Sequence, residues 1–162
     1  NGGSCYRLGN QPIYMTAGTT TMEWVANLPN LSDGTDTYAV EFGFGDQSTA
    51  NGTITEGIYW RYTHSENSGN WTIKCVHAST TTSANTSSAA DTSWHTFKIV
   101  VNAAATSVSF YIDGSEVANS PITTNIPQGS GQSTGPFFRI LKSAGSTARY
   151  LLMDAFFLQI AY

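Results

Sequence analysis

Five charged or aromatic side chains fall on the polar side of predicted strands and have the chemistry of a saccharide site. Glu41, Tyr59, Arg61, Lys74 and Lys98 alternate with apolar neighbours, so each points away from the predicted core. A sugar has an apolar ring face and a rim of hydroxyl groups, which an aromatic ring and planar polar groups can match. The alternative is a solvated face on which opposite charges of neighbouring strands pair, each pair contributing about a few tenths of a kcal/mol.

A second polar feature is the turn after the first long strand. It contains two carboxylates, Asp33 and Asp36, in the sequence Asp-Gly-Thr-Asp. Carboxylate oxygens are ligands that Ca²⁺ prefers, so these two residues are candidate metal ligands, although their spacing is not that of an EF-hand loop. An ordinary polar turn explains the same residues. Calcium is the one cofactor that the sequence suggests. No cysteine or histidine spacing indicates zinc.

Signatures of catalysis are weak. Residues 131–135 read Gly-Gln-Ser-Thr-Gly, but they lie in a stretch expected to be an irregular loop and not in the strand-to-helix turn that a nucleophile elbow needs. His95 comes directly before an apolar strand, which favours a structural role. We therefore expect a protein without enzyme activity and assign no catalytic residue.

Alternating apolar and polar residues predict the strands that position these side chains. The alternation is found at 22–28, 38–44, 57–63, 71–77, 96–101 and 108–112, and the pair Asp113-Gly114 suits a two-residue hairpin turn before a return strand at Val117. The Ser/Thr-rich stretch 78–91 fits either an edge strand or a loop, and 119–135 is expected to be a long irregular loop. The final stretch, 150–161, is apolar on both faces, which indicates either a covered central strand or a contact with another chain. The predicted core consists of Trp24, Tyr38, Val40, Phe42, Trp60, Phe97, Ile99, Phe110, Ile112, Phe138 and Phe156.

Length and composition limit the possible functions. The 162 residues suit one domain, 1–162, in which residues 1–19 are either part of the fold or an N-terminal extension or linker of a longer chain. Charged residues make up 11% of the chain, the net charge is −4, and no basic run occurs, which argues against nucleic acid and anionic membranes as partners. No apolar run is long enough for membrane insertion.

Cys5 and Cys75 permit a disulfide, but a small buried core residue explains Cys75 equally well.

Two runs of the sequence carry a family resemblance. Residues 94–99 read Trp-His-x-Phe-x-Ile, and residues 108–117 read Val-x-Phe-Tyr-Ile-Asp-Gly-x-x-Val. They resemble the central strands of concanavalin A-like lectin/glucanase sandwiches, a group that includes laminin-G-like domains. The segments 28–35 and 42–46 fit the same group, and 137–149 with 151–158 resemble the closing strands of such domains in tailed-phage structural proteins. The resemblance extends over residues 20–162.

The resemblance implies a fold and a setting. It implies an all-β, antiparallel two-sheet jelly-roll sandwich within a tail fibre, tail spike or head fibre, located on the virion surface and therefore extracellular. The expected role is attachment to a host-surface glycan or polysaccharide. A rival interpretation is a purely structural module that oligomerises or decorates the particle, with sister chains as partners in a homotrimer.

A third interpretation is a glycan hydrolase or lyase. Glucanases of this fold carry a Glu-x-Asp-x-x-Glu strand that presents carboxylates from one sheet face. Here Glu41 is followed by Gly43 two residues on, and the triplet is absent. The lyase members use sets of Arg, Gln-x-His and Tyr on neighbouring strands, which His64, His77 and His95 do not match.

Overall fold

The structure is a computed structural model that describes residues 2–8, 13–128 and 134–162. Within these residues the chain forms eleven strands and two short 3₁₀ helices, Met15–Ala17 and Asn67–Gly69. The strands are β1 Gly2–Arg7, β2 Thr19–Asn27, β3 Tyr38–Gly45, β4 Gly57–Tyr62, β5 Asn70–His77, β6 Thr80–Ala89, β7 Trp94–Val101, β8 Val108–Ile112, β9 Ser115–Glu116, β10 Gly135–Lys142 and β11 Leu152–Ala161.

The strands build two antiparallel sheets packed face to face. The six-stranded sheet has the order β1-β10-β3-β4-β5-β6, and the five-stranded sheet has the order β11-β2-β7-β8-β9. β10 lies between β1 and β3, and β11 lies beside β2. Strands that are far apart in the sequence are therefore neighbours in the sheets. This arrangement confirms the predicted antiparallel two-sheet sandwich.

The core between the sheets is dominated by aromatic rings. The rings of Trp71 and Phe97 lie 4.8 Å apart at their centroids, those of Phe42 and Phe97 5.0 Å, and those of Trp60 and Phe110 5.3 Å. All three pairs meet edge to face, the geometry that the quadrupole of an aromatic ring favours. Each of these pairs joins a ring of the six-stranded sheet to a ring of the five-stranded sheet, so the aromatic contacts hold the two sheets together.

Most of the predicted core is buried, with three exceptions. Trp24, Tyr38, Val40, Phe42, Trp60, Phe97, Ile99 and Phe110 are buried. Ile112 and Phe138 are only partly buried, although they pack against the core. Phe156 is 38% exposed, because it lies on the edge strand β11 and no further strand covers it within the described residues.

The structure decides between alternatives that the sequence left open and corrects the position of the return strand. The stretch 78–91 contains an edge strand, β6, and the return strand β9 ends at Glu116, just before Val117. Residues 129–133 of the predicted long loop lie outside the described residues. The first residues of the 1–19 stretch form β1, which pairs with β10 along its whole length. The last strand, β11, is neither central nor covered, since β2 is its single strand partner in the described part of the chain.

Two hairpin turns use left-handed backbone conformations. Asp113 and Gly114 have φ angles of 50° and 81°, as a two-residue turn of this kind requires. Ala78 and Ser79 have φ angles of 48° and 65° in the turn between β5 and β6. The second turn was not apparent in the sequence, because neither residue is one that usually adopts this conformation.

Candidate functional site

Four of the five predicted glycan ligands lie together on the face of the six-stranded sheet that is turned away from the core, here called the outer face. The strand register places Glu41 opposite Arg61 and Tyr59 opposite Lys74. Lys98 is on β7 of the other sheet, where its ammonium lies 4.8 Å from the ring centroid of Tyr111. The alternation correctly predicts that Lys98 points away from the core, but the structure does not bring it to the site.

Glu41 is the centre of the outer face. Its side chain is 3% exposed and lies between two guanidinium groups. One carboxylate oxygen accepts a hydrogen bond from Arg61 Nη1, and the other accepts from Arg139 Nε at 2.5 Å and contacts Arg139 Nη2 at 2.5 Å. Arg139 was not among the predicted site residues, because its position opposite Glu41 depends on β10 returning beside β3.

The charge network continues from Arg61 towards β5. Arg61 Nε donates to Glu66 at 2.6 Å, and Lys74 Nζ lies 2.7 Å from the other oxygen of Glu66. Partial burial raises the pKa of the Glu66 carboxyl, but hydrogen bonds from Lys74 and Arg61 outweigh burial and hold that pKa below its usual range. The network therefore contains three cations and two carboxylates, with Arg139 and Glu41 as its other members.

Tyr59 is not the open aromatic platform that the sequence predicts. Its side chain is buried, packed with Ile54, Val76 and Phe137 in a small apolar cluster, and its ring meets that of Phe137 edge to face at 5.9 Å. Burial raises the pKa of the Tyr59 hydroxyl well above its usual range. The stretch 46–56, which supplies Ile54, folds over this part of the outer face.

Arg139 also holds the 46–56 stretch in place. Its Nη1 donates to the carbonyl of Gly52 at 2.6 Å and to that of Ala50 at 3.3 Å. The Asp46 carboxylate accepts hydrogen bonds from the backbone N–H and the hydroxyl of Thr55, which closes the base of the stretch. One arginine thus links the buried carboxylate of Glu41 to the segment that covers Tyr59.

Gly43 explains why β3 presents a single carboxylate to the outer face. A Cβ at this position would lie 2.2 Å from the carbonyl oxygen of Ile58 and 2.6 Å from Tyr59 Cα. No side chain fits there without a shift of the β4 backbone. The second carboxylate of the glucanase pattern is therefore absent for a steric reason as well as by sequence.

The predicted metal ligands Asp33 and Asp36 lie together but face cations. Asp36 is contacted by Lys142 Nζ at 3.0 Å and by Arg149 Nη2 at 2.9 Å. The hydrogen bond from Lys142, with one from Thr147, lowers the pKa of Asp36 to about 2. No cluster of three or more His, Cys, Asp or Glu side chains suited to a metal ion occurs in the described residues. A calcium ion would have to displace both cations, so calcium binding stays a prediction.

The two cysteines are free thiols in the structure. Cys75 is buried in the core, and burial raises the pKa of its thiol. Cys5 lies on β1 opposite Arg139, and its sulfur is 3.8 Å from the carbonyl oxygen of Gln47. Cys75 therefore has a packing role in the core.

A second concave feature opens at the side of the sandwich and is here called the side cleft. It has a volume of about 210 Å³. Its lining residues are Ser4, Phe138, Arg139, Ile140, Arg149, Tyr150 and Leu151. Tyr150 is 58% exposed at the rim, and the exposed ring of Tyr6 stacks on Phe138 at 5.3 Å. Sequence reasoning missed the cleft, because it is assembled from β1, β10 and the segment before β11, which are adjacent only in the folded chain.

Comparison with protein families adds to this geometry. The profile of the family described as SO2946-like, C-terminal domain, matches residues 1–154. The chain belongs to this family. No curated protein sequence matches this SO2946-like domain.

Solved structures with the same architecture are numerous. The carbohydrate recognition domain of Emp46p, in its potassium-bound form, has a TM-score of 0.63 at 9% identity, covering 93% of this chain and 75% of that chain. The β-glucanase of Bacillus licheniformis has a TM-score of 0.60 at 14% identity, covering 90% and 67%. The carbohydrate-binding module CBM66 of Bacillus subtilis has a TM-score of 0.58 at 13% identity, covering 98% and 83%. These similarities show that the SO2946-like domain has a concanavalin A-like lectin/glucanase sandwich fold.

The comparisons confirm the fold that the sequence resemblance implied. They include both binding domains and a glucanase, so the fold by itself does not separate binding from catalysis. No helix in the described part of the chain is long and apolar enough to cross a membrane.

Proposed function

We propose that this SO2946-like domain is a non-catalytic glycan-binding module on a virion surface, where it attaches the particle to a host-surface polysaccharide. The observation that carries the proposal is the likeness of its fold to two carbohydrate-binding domains, those of Emp46p and CBM66, over 93% and 98% of the chain. The virion setting is supported by the resemblance of residues 137–149 and 151–158 to the closing strands of tailed-phage structural proteins.

The outer face supports binding rather than catalysis. A glycosidase needs one carboxylic acid to protonate the leaving group and a second carboxylate as base or nucleophile. Both oxygens of Glu41 already accept hydrogen bonds from arginines, and Glu66 is held by Arg61 and Lys74. At position 43, two residues after Glu41 on β3, there is no room for a further carboxylate.

The part of the outer face that a glycan can reach lies towards β6. The stretch 46–56 covers Tyr59, whereas Thr81, Ser83 and Asn85 of β6 are exposed. Ser83 is paired with Lys74 and Asn85 with Thr72. This region combines hydroxyl, amide and ammonium groups, which are the donors and acceptors that sugar hydroxyls use.

A glycan array probed with the full chain tests this proposal. We expect retention on at least one bacterial surface polysaccharide, and weaker retention of a Lys74→Ala variant. The matched control is Lys98→Ala, which removes the same charge from the other sheet and should bind as the wild type does. No retention of the folded protein on any polysaccharide would refute glycan attachment.

A second function, assembly through β11, is favoured by one specific observation. β11 is an edge strand with exposed apolar side chains on both faces, including Phe156 and Phe157 at 38% and 51% exposure. Exposed edge strands are normally protected by charges, prolines or bulges. β11 has a register shift and Asp154 near its start, but residues 155–161 carry no charge. We propose that this strand packs on sister chains, as in a homotrimer.

Light scattering coupled to size-exclusion chromatography tests the assembly function. We expect an oligomer for the wild type and a monomer for Phe157→Lys, because the lysine would place a charge in an apolar contact. Ser83→Lys, on the exposed edge strand of the other sheet, is the matched control and should stay oligomeric. A wild-type protein that is monomeric at high concentration would contradict assembly through β11.

A further inference from the structure

We infer that Asn51 is a site of spontaneous deamidation, and that its isoaspartyl product loosens the 46–56 stretch. Asn51 and Gly52 lie between β3 and β4, outside regular secondary structure, and Asn51 is exposed. This chemistry does not depend on glycan attachment, because it needs only the Asn-Gly pair, water and the arginine that holds the surrounding segment.

The reaction is a cyclisation followed by hydrolysis. A base from the solvent removes the proton of the Gly52 backbone N–H, and the nitrogen attacks Cγ of Asn51 to form a five-membered cyclic imide. The bond from Cγ to Nδ2 breaks, and the amide nitrogen leaves as ammonia. Water then opens the imide at one of its two carbonyl groups. The product is either an aspartate or an isoaspartate, whose main chain runs through Cβ and Cγ. One water is consumed, one ammonia is released, and no group is oxidised or reduced.

Packing of Gln47 keeps position 52 free of a side chain. A Cβ at Gly52 would lie 1.7 Å from Oε1 of Gln47 and 2.8 Å from Oγ1 of Thr49. Gln47 is itself held, since its Nε2 donates a hydrogen bond to the carbonyl of Thr53. A side chain on the residue after an asparagine hinders attack by the backbone nitrogen of that residue. The packing that requires glycine here therefore also leaves the nitrogen unhindered.

One long hydrogen bond restrains the attacking nitrogen. The Gly52 N–H donates to the carbonyl of Thr49 at 3.4 Å, which exceeds the usual range of roughly 2.7–3.2 Å. The nitrogen has to turn towards Cγ of Asn51 before it can attack, and only this weak bond of the turn must open for that motion.

Two other asparagines that precede a small residue, serine, are fixed more firmly. Asn67 Nδ2 donates to two backbone carbonyls, at 2.8 and 2.9 Å, and Asn119 Nδ2 donates to one at 2.7 Å. These bonds have to break before the side-chain amide can meet the next backbone nitrogen. We expect Asn51 to react at least about tenfold faster than either, the factor that corresponds to breaking roughly one further hydrogen bond.

Arg139 makes the modification visible in the fold. Its Nη1 donates to the carbonyls of Ala50 at 3.3 Å and of Gly52 at 2.6 Å, which lie on either side of Asn51. An isoaspartate adds one carbon atom to the main chain between residues 51 and 52. The two carbonyls then lose the spacing at which one nitrogen can bind both, so the stretch that covers Tyr59 is held less firmly.

The new charge by itself should not loosen the stretch. Asn51 lines a groove of about 310 Å³ together with Arg139 and Lys142. A carboxylate at position 51 would therefore lie near two cations, and an aspartate leaves the main chain unchanged. The Asn51→Asp variant thus separates the effect of the charge from that of the longer main chain.

Mass spectrometry of the full chain, incubated in mildly alkaline buffer and then digested, tests the reaction. We expect the mass gain of an amide converted to an acid at residue 51, faster at higher pH and at least about tenfold faster than at Asn67 and Asn119. Fragmentation must locate the gain and identify the linkage, because the sequence also contains Asn1-Gly2. Asn51→Gln should show no gain at this position, since glutamine would need a six-membered ring. No gain at residue 51, equal rates at the three asparagines, or a product with aspartate alone would each overturn the inference.

Hydrogen exchange tests the structural consequence. The isoaspartyl form, separated by chromatography, is compared with fresh wild type and with Asn51→Asp. We expect amides of residues 46–56 to exchange about tenfold faster in the isoaspartyl form, the lower end for loss of a hydrogen bond from a charged donor. Asn51→Asp should exchange as the fresh wild type does, and β7 of the other sheet should be unchanged in all three. Exchange at the wild-type rate in the isoaspartyl form would refute the loosening. Equally fast exchange in Asn51→Asp would assign it to charge and refute the role of the main chain.

Discussion

Replacing Glu41 by glutamine should destabilise the domain strongly. The glutamine removes the negative charge that lies between Arg61 and Arg139, and Arg139 is 6% exposed. Breaking a buried ion pair from one side costs about 3–5 kcal/mol. Arg61 retains Glu66, and Arg139 retains the carbonyls of the 46–56 stretch, so the lower end, about 3 kcal/mol, applies.

This loss is large enough to measure in two ways. For a domain of this size, about 1 kcal/mol corresponds to roughly 2–4 °C in Tm, so Glu41→Gln should lower Tm by about 6–12 °C. Urea denaturation followed by tryptophan fluorescence would give the free energy of unfolding directly. Hydrogen exchange should also become faster in residues 46–56, because Arg139 connects Glu41 to that stretch.

Glu23→Gln is the matched control for this prediction. Glu23 lies opposite Lys98 on the outward side of the five-stranded sheet and is only partly buried. Exposed pairs of this kind contribute about 0–1 kcal/mol. If Glu41→Gln lowers the stability no more than Glu23→Gln does, the claim that a buried carboxylate organises the outer face is refuted.

Three further predictions concern backbone and pH. Gly43→Ala should cost about 2 kcal/mol or more in urea denaturation, since its Cβ would lie 2.2 Å from a carbonyl oxygen of the neighbouring strand; an unchanged midpoint would contradict that contact. Ala78→Gly should raise the free energy of unfolding by about 0.5–1 kcal/mol, because Ala78 has a φ of 48°. Partial burial lowers the pKa of His95, but hydrogen bonds to Asp113 and Asp91 raise it above its ordinary value. Charged His95 therefore stabilises the fold fully below about pH 6.5, and this stabilisation is lost as the pH rises through the pKa of His95 in the folded state. The Tm of the wild type should accordingly fall with increasing pH. The Tm of His95→Gln should fall less steeply over the same pH range.

Alternation in the sequence was sufficient to predict strands and their faces. The alternating residues of β2 and β3 correctly place Trp24 and Phe42 in the core and Glu41 on the opposite side. Alternation does not say to which sheet a strand belongs, so Lys98 and Lys74 looked equivalent although they lie on different sheets. Tyr59 was placed on the correct face, but its burial depends on the 46–56 stretch, whose path over the sheet is set by contacts to a distant strand.

The parts of the structure that sequence reasoning missed depend on long-range pairing. β1 has little apolar alternation, and its partner β10 is more than a hundred residues away in the chain. The position of Arg139 beside Glu41 and the lining of the side cleft follow from that same pairing. Arg149 lies in a segment without regular structure, and only its contacts to Asp33 and Asp36 show where its guanidinium is held.

The most direct test of the central claim is retention of the folded full chain on an array of bacterial surface polysaccharides. Glycan attachment predicts selective retention of the wild type, reduced by Lys74→Ala on the outer face and unchanged by Lys98→Ala. If the folded, oligomeric wild type is retained on no polysaccharide, glycan attachment is contradicted. Assembly through β11 is then the function that the structure supports.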